Sequence, residues 1–82
     1  MKGKILMCTT LRINMTETGN NICRLRKEKG ITVKQIQEVM GFNTPQAIFK
    51  WQRGETMPSL DNMLVLSELF GKKIEEIVVI EK

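Results

Sequence analysis

Gln46, Phe49, Lys50 and Arg53 place an amide, an aromatic ring, an ammonium and a guanidinium at three- and four-residue spacing. At about 100° per residue this spacing gathers all four on one side of a helix and leaves Ala47, Ile48 and Trp51 on the other. An amide and two cations on one arc suit base edges and phosphate oxygens. Each residue also has a plainer role open to it. Lys50 and Arg53 could be ordinary solvated charge, and a rotation of about 40° would bury Phe49. Trp51, the sole tryptophan, reads as a core anchor rather than a stacking platform. The group counts collectively, because no Asp or Glu lies between Glu38 and Glu55 to offset it.

A rigid rod must carry that arc, and the flanking residues supply its ends. Thr44-Pro45 is a start signal, since proline suits a first helical position and the residue before it avoids helical geometry. Thr44 is the predicted cap and Gly54 the stop, which gives a helix of about ten residues. Upstream, Thr32 and Gln35 have the spacing of a capping box, with Val33, Ile36 and Met40 as an inner stripe. Gly41 ends that helix, and Gly41 to Thr44 make the turn of a helix-turn-helix.

Eighty-two residues with 41% hydrophobic and 27% charged content make one domain. The net charge of +4 is unevenly spread. Residues 1–30 hold seven Lys/Arg against two Asp/Glu, and residues 31–82 hold six against seven. A basic N-terminal part with acids at Glu68, Glu75, Glu76 and Glu81 fits one-sided docking on a polyanion. The chain has no histidine, and Cys8 and Cys23 have no metal-ligand spacing, so no metal and no cofactor are expected. With no paired catalytic carboxylates and no Gly-rich phosphate loop, an enzyme is not expected either. The apolar run Ile5-Leu6-Met7-Cys8 is too short for a leader or a span, which predicts a cytoplasmic protein without membrane attachment.

Residues 1–15 read as an extension: a flexible tail or, secondarily, a short strand pairing with residues 77–80. Residues 16–82 read as the folded domain. A first helix is predicted from about Thr18 to Lys29, ended by Gly30, with Ile22, Leu25 and Cys23 inward. After the two central helices, Ser59 should cap a fourth, with Leu60, Met63, Leu64 and Leu66 supplying apolar surface and Gly71 the stop. A last short helix is predicted from Ile74 to Val78.

In this order the pieces resemble the Cro/phage-repressor (XRE-type) helix-turn-helix family over residues 18–78. The matching phrases are ICRLRKEKGIT at 22–32, IFKWQRG at 48–54, MPSLDNMLVLSELFG at 57–71 and IEEI at 74–77. The resemblance implies an all-α, five-helix lambda-repressor-like bundle whose third helix enters the major groove. By position it implies base contacts from Thr44, Pro45, Gln46, Phe49 and Lys50, with a thymine methyl as an apolar partner for Phe49. It implies backbone contacts from Thr32, Lys34, Asn43 and Arg53. The chain departs from the family where Val33 replaces a common glutamine and Gln37 a small residue. Its turn is also one residue longer, at Phe42 or Asn43. Gln52 stands where a glutamate often meets Arg26, which would leave that guanidinium available for a phosphate.

The expected function is sequence-specific binding of double-stranded DNA in transcription regulation, as a homodimer and without a separate effector-sensing site. The competing expectation is a protein-interaction module of the same fold that does not bind DNA.

Overall fold

The computed structural model describes residues 12–81. Its elements run β1 (Arg12–Ile13), α1 (Met15–Glu28), α2 (Val33–Met40), α3 (Gln46–Arg53), α4 (Leu60–Phe70), α5 (Ile74–Ile77) and β2 (Ile80–Glu81). The five helices are those anticipated, with their ends moved by local hydrogen bonds. Helix α1 begins three residues before Thr18 because Asn14 is the cap, its Oδ1 accepting from the Glu17 amide at 2.9 Å. Met15 therefore belongs to the helical body and not to an extension. The expectation for residues 1–11, including the possible strand there, lies outside the described residues.

Helix α2 carries the full capping box: Thr32 Oγ1 accepts from the Gln35 amide at 3.0 Å, and Gln35 Oε1 accepts from the Thr32 amide at 2.8 Å. Ser59 caps α4 through the Asn62 amide at 3.2 Å. Helix α5 is one turn, a residue shorter than anticipated, because Val78 is already extended.

Among the described residues, nine apolar side chains make the core: Ile22, Leu25, Ile36, Ile48, Trp51, Met63, Leu66, Phe70 and Ile77. Val33, Met40, Phe42 and Ala47 pack against it half-buried. Leu60 and Leu64 do not join them; they stay 69% and 53% exposed. Met63, Leu66 and Phe70 share one face of α4, and helical geometry turns Leu60 and Leu64 roughly 90–130° away from it.

The C-terminal tail is clipped to the start of α1. Thr18 is fully buried, and its Oγ1 accepts from the Val79 amide at 2.9 Å. Asn14 donates its own amide to Val79 O at 2.8 Å. One turn along, Asn21 Nδ2 donates to Glu76 O and Ile77 O at 3.0 and 2.9 Å, closing off the end of α5. β1 and β2 extend this clip as an antiparallel pair, Arg12 opposite Glu81 and Ile13 opposite Ile80. A buried amide that loses its acceptor bears the full desolvation cost. Thr18→Val should therefore destabilise the fold by about 1–2 kcal/mol in urea titration; an unchanged midpoint would discount the clip.

Candidate nucleic-acid interface

Helix α3 starts at Gln46, one residue later than its sequence signals suggest. Thr44 is not the side-chain cap: its Oγ1 sits 3.5 Å from the Gln46 amide, at the limit of a hydrogen bond. Pro45 takes the cap position without a side-chain bond. The turn from α2 thus runs five residues, Gly41 to Pro45, rather than four.

Phe42 absorbs the extra length. Its ring meets Trp51 edge-on, with centroids 5.9 Å apart. Its amide donates to Gln37 O at 3.1 Å, and Gln37 Nε2 donates to Phe42 O at 3.2 Å. Gln37, which stands in place of a small residue, therefore pins the turn, and Asn43 is left exposed.

Two glycines set how closely α3 lies on α1. Gly19 is buried, and a Cβ placed there would stand 2.4 Å from Trp51 O and 2.7 Å from Gln52 O. At the other side of the contact, Gly54 adopts φ +77°, and a Cβ on it would stand 2.8 Å from Thr16 Cα. Backbone meets backbone at both points, so the last turn of α3 is held without flexible side chains between.

The helix faces are as the spacing required. Ile48 and Trp51 are buried and Ala47 half-buried, while Gln46, Lys50 and Arg53 are exposed. Phe49 is 40% exposed, which removes the alternative of a buried ring. Thr44 is exposed and Pro45 half-buried at the leading end. Thr32 and Lys34 are exposed at the start of α2. Because Thr32 Oγ1 accepts in its capping bond, its hydroxyl proton remains able to donate outward. Thus Gln46, Phe49 and Lys50 share the outward side of α3, and Thr32 and Lys34 mark the head of the neighbouring helix.

Two cations differ from expectation. Arg26 is engaged within the protein. Its half-buried guanidinium donates to Gln52 Oε1 at 3.0 Å and Ile31 O at 2.9 Å, with Cys23 Sγ 3.9 Å away. The amide at position 52 accepts the bond that a carboxylate would otherwise take, so Arg26 braces α1 against α3 and the following loop. A charged acceptor strengthens such a bond. Gln52→Glu should raise stability by about 1 kcal/mol, read as a higher urea midpoint; a lower midpoint would mean that burying the new carboxylate outweighs the pairing.

Arg53 is not uncompensated. Its Nε lies 2.5 Å from Glu55 Oε2 and its Nη2 3.4 Å from Oε1. Hydrogen bonding from Arg53 holds the Glu55 carboxyl below its ordinary range, helped by the charges of Arg53 and Lys50 and opposed by desolvation. The same bond raises the Arg53 guanidinium. Spacing could have flagged this pair. A left-handed glycine at 54 folds residue 55 back along the helix, where its amide bonds Lys50 O at 3.0 Å.

A helix-turn-helix family model matches residues 24–77. An uncharacterized HTH-type transcriptional regulator of Sinorhizobium fredii, y4dJ, is 32% identical over 60 residues, spanning 73% of this chain and 77% of that protein. Among solved structures, the restriction-modification controller protein C.AhdI from Aeromonas hydrophila superposes with a TM-score of 0.68 at 22% identity. That match covers 78% of this chain and 96% of the controller. The S. venezulae BldD DNA-binding domain gives 0.64 at 14% identity, over 79% and 96%. Both likenesses are of fold.

Proposed function

The chain belongs to the XRE-type helix-turn-helix family of DNA-binding transcription regulators, and on that footing we propose that it reads operator sequence through α3. Gln46 and Lys50 address base edges, Phe49 lies against an apolar base feature, and Thr44 and Pro45 shape the leading end. Thr32, Lys34 and Asn43 engage the sugar-phosphate backbone, with Arg53 joining them once it leaves Glu55. The supporting observation is the division of α3 into a buried Ile48/Trp51 side and an exposed Gln46/Phe49/Lys50 side.

The protein acts in the cytoplasm as a homodimer and catalyses no reaction. Pairing would set two α3 helices about one helical turn, near 34 Å, apart on a two-fold site. Leu60 and Leu64 are apolar side chains left in water, consistent with a partner subunit.

Binding to mixed-sequence duplex DNA over a salt series tests the proposal. Affinity should fall with salt at a slope of about −0.9 per phosphate neutralised, and Lys34 and Lys50 allow about two phosphates per subunit. No binding at low salt would favour a protein-interaction module instead. The pairing of Arg53 and the engagement of Arg26 are the observations on that side.

A further inference from the structure

Arg53 and Glu55 face each other across the left-handed turn at Gly54. Both oxygens of the carboxylate are set against the edge of the guanidinium, at 2.5 and 3.4 Å. A phosphate uses the same two-pronged approach to arginine. Both side chains are about half exposed, 55% and 50%, and they sit at the end of the helix that presents Gln46, Phe49 and Lys50. Among the charged residues of this helix and its flanks, Glu55 is the first acid after Glu38. The other acids near the chain's end lie on α4, α5 and β2.

We propose that Glu55 is a built-in competitor for DNA phosphate, holding Arg53 closed in the free protein and on unselected duplex. The inference rests on the DNA-binding reading above and adds a restraint to it. A polyanion approaching α3 meets Lys50 directly, but it must displace a tethered carboxylate to take the two-pronged Nε/Nη2 edge of Arg53. Exposed ion pairs hold weakly and yield to a better-placed anion. Sequence-specific docking, which fixes α3 against the duplex, supplies that anion at short range and in one position. Loose, sliding association does not. One cation of the interface is therefore withheld until the helix is seated, which lowers general affinity for DNA and limits occupancy of irrelevant sites.

The experiment compares wild type, Glu55→Gln, Arg53→Ala, the double variant and Glu75→Gln on a mixed-sequence duplex over a salt series. Glu55→Gln should bind about three- to tenfold more tightly at low salt, with a slope steeper by about 0.9, one further phosphate. Arg53→Ala alone should change little on this DNA, and in the double variant it should abolish the gain. Glu75→Gln removes an equal charge from α5 and should fall well short of Glu55→Gln. Equal gains from the two glutamine variants would show a general charge effect and overturn the proposal. Unchanged or weaker binding by Glu55→Gln would overturn it too, the weaker result meaning that Glu55 positions Arg53 for DNA. If wild type binds and only these differences are missing, the competitor role alone falls. If no variant binds, the DNA reading falls with it.

Discussion

Gly19→Ala should cost about 3 kcal/mol of stability, although alanine is ordinarily the better helix former. In an exposed helix interior that exchange gains about 0.5–1 kcal/mol, because glycine loses more backbone freedom on folding. Here the sign reverses. The added methyl would lie 2.4 Å from Trp51 O and 2.7 Å from Gln52 O, where real contacts do not occur. The obstructing atoms are main-chain carbonyls in the final turn of α3 and cannot rotate aside. Either α1 and α3 move apart, opening the core around Ile22 and Trp51, or α3 tilts. A urea titration checks the magnitude. If alanine stabilises the protein, the helices are not as close as described. Tilting α3 also re-aims Gln46 and Lys50, so DNA affinity should fall even at temperatures where the variant stays folded.

The second large effect is on sequence preference. Gln46→Ala and Lys50→Ala should each remove about 1–3 kcal/mol from binding to the preferred site, a loss of roughly 5- to 150-fold. Gln46 carries no charge, so its removal should leave mixed-sequence binding and the salt slope nearly intact. Lys50 should show both a specific and a general component. Selection from a random duplex pool supplies the preferred site, and competition between that site and mixed DNA gives the ratio. Equal losses on both duplexes for Gln46→Ala would remove it from base recognition and reduce α3 to a backbone-docking element.

Features written in short range were readable before any coordinates. Thr32 with Gln35, Gly41, Gly54, Ser59 and Gly71 mark helix ends because caps act within a turn of the chain, and the structure uses all of them. The burial of Ile48 and Trp51 and the exposure of Gln46, Lys50 and Arg53 followed from angular position alone. Contacts between distant segments were not readable. Gly19 looks like a poor helical residue until α3 lies across it, and Thr18 looks like a solvent-facing hydroxyl until Val79 arrives. The bonds of Arg26 were hidden for the same reason. Losing a glutamate partner suggested a free cation, but Ile31 O comes within 2.9 Å by a turn that no periodicity describes. Leu60 and Leu64 count among the apolar surface of α4 by type, but the phase of that helix turns them to solvent while Met63 and Leu66 face the core.

The clip between Thr18 and Val79 spans 61 positions of the chain. Loops of that length close slowly, since the entropy of bringing their ends together is lost before any contact repays it. The helices on either side of the turn form from neighbours, so the clip is expected to close after them. A nascent chain still on the ribosome can therefore build its helix-turn-helix while the seam that fastens the whole remains open.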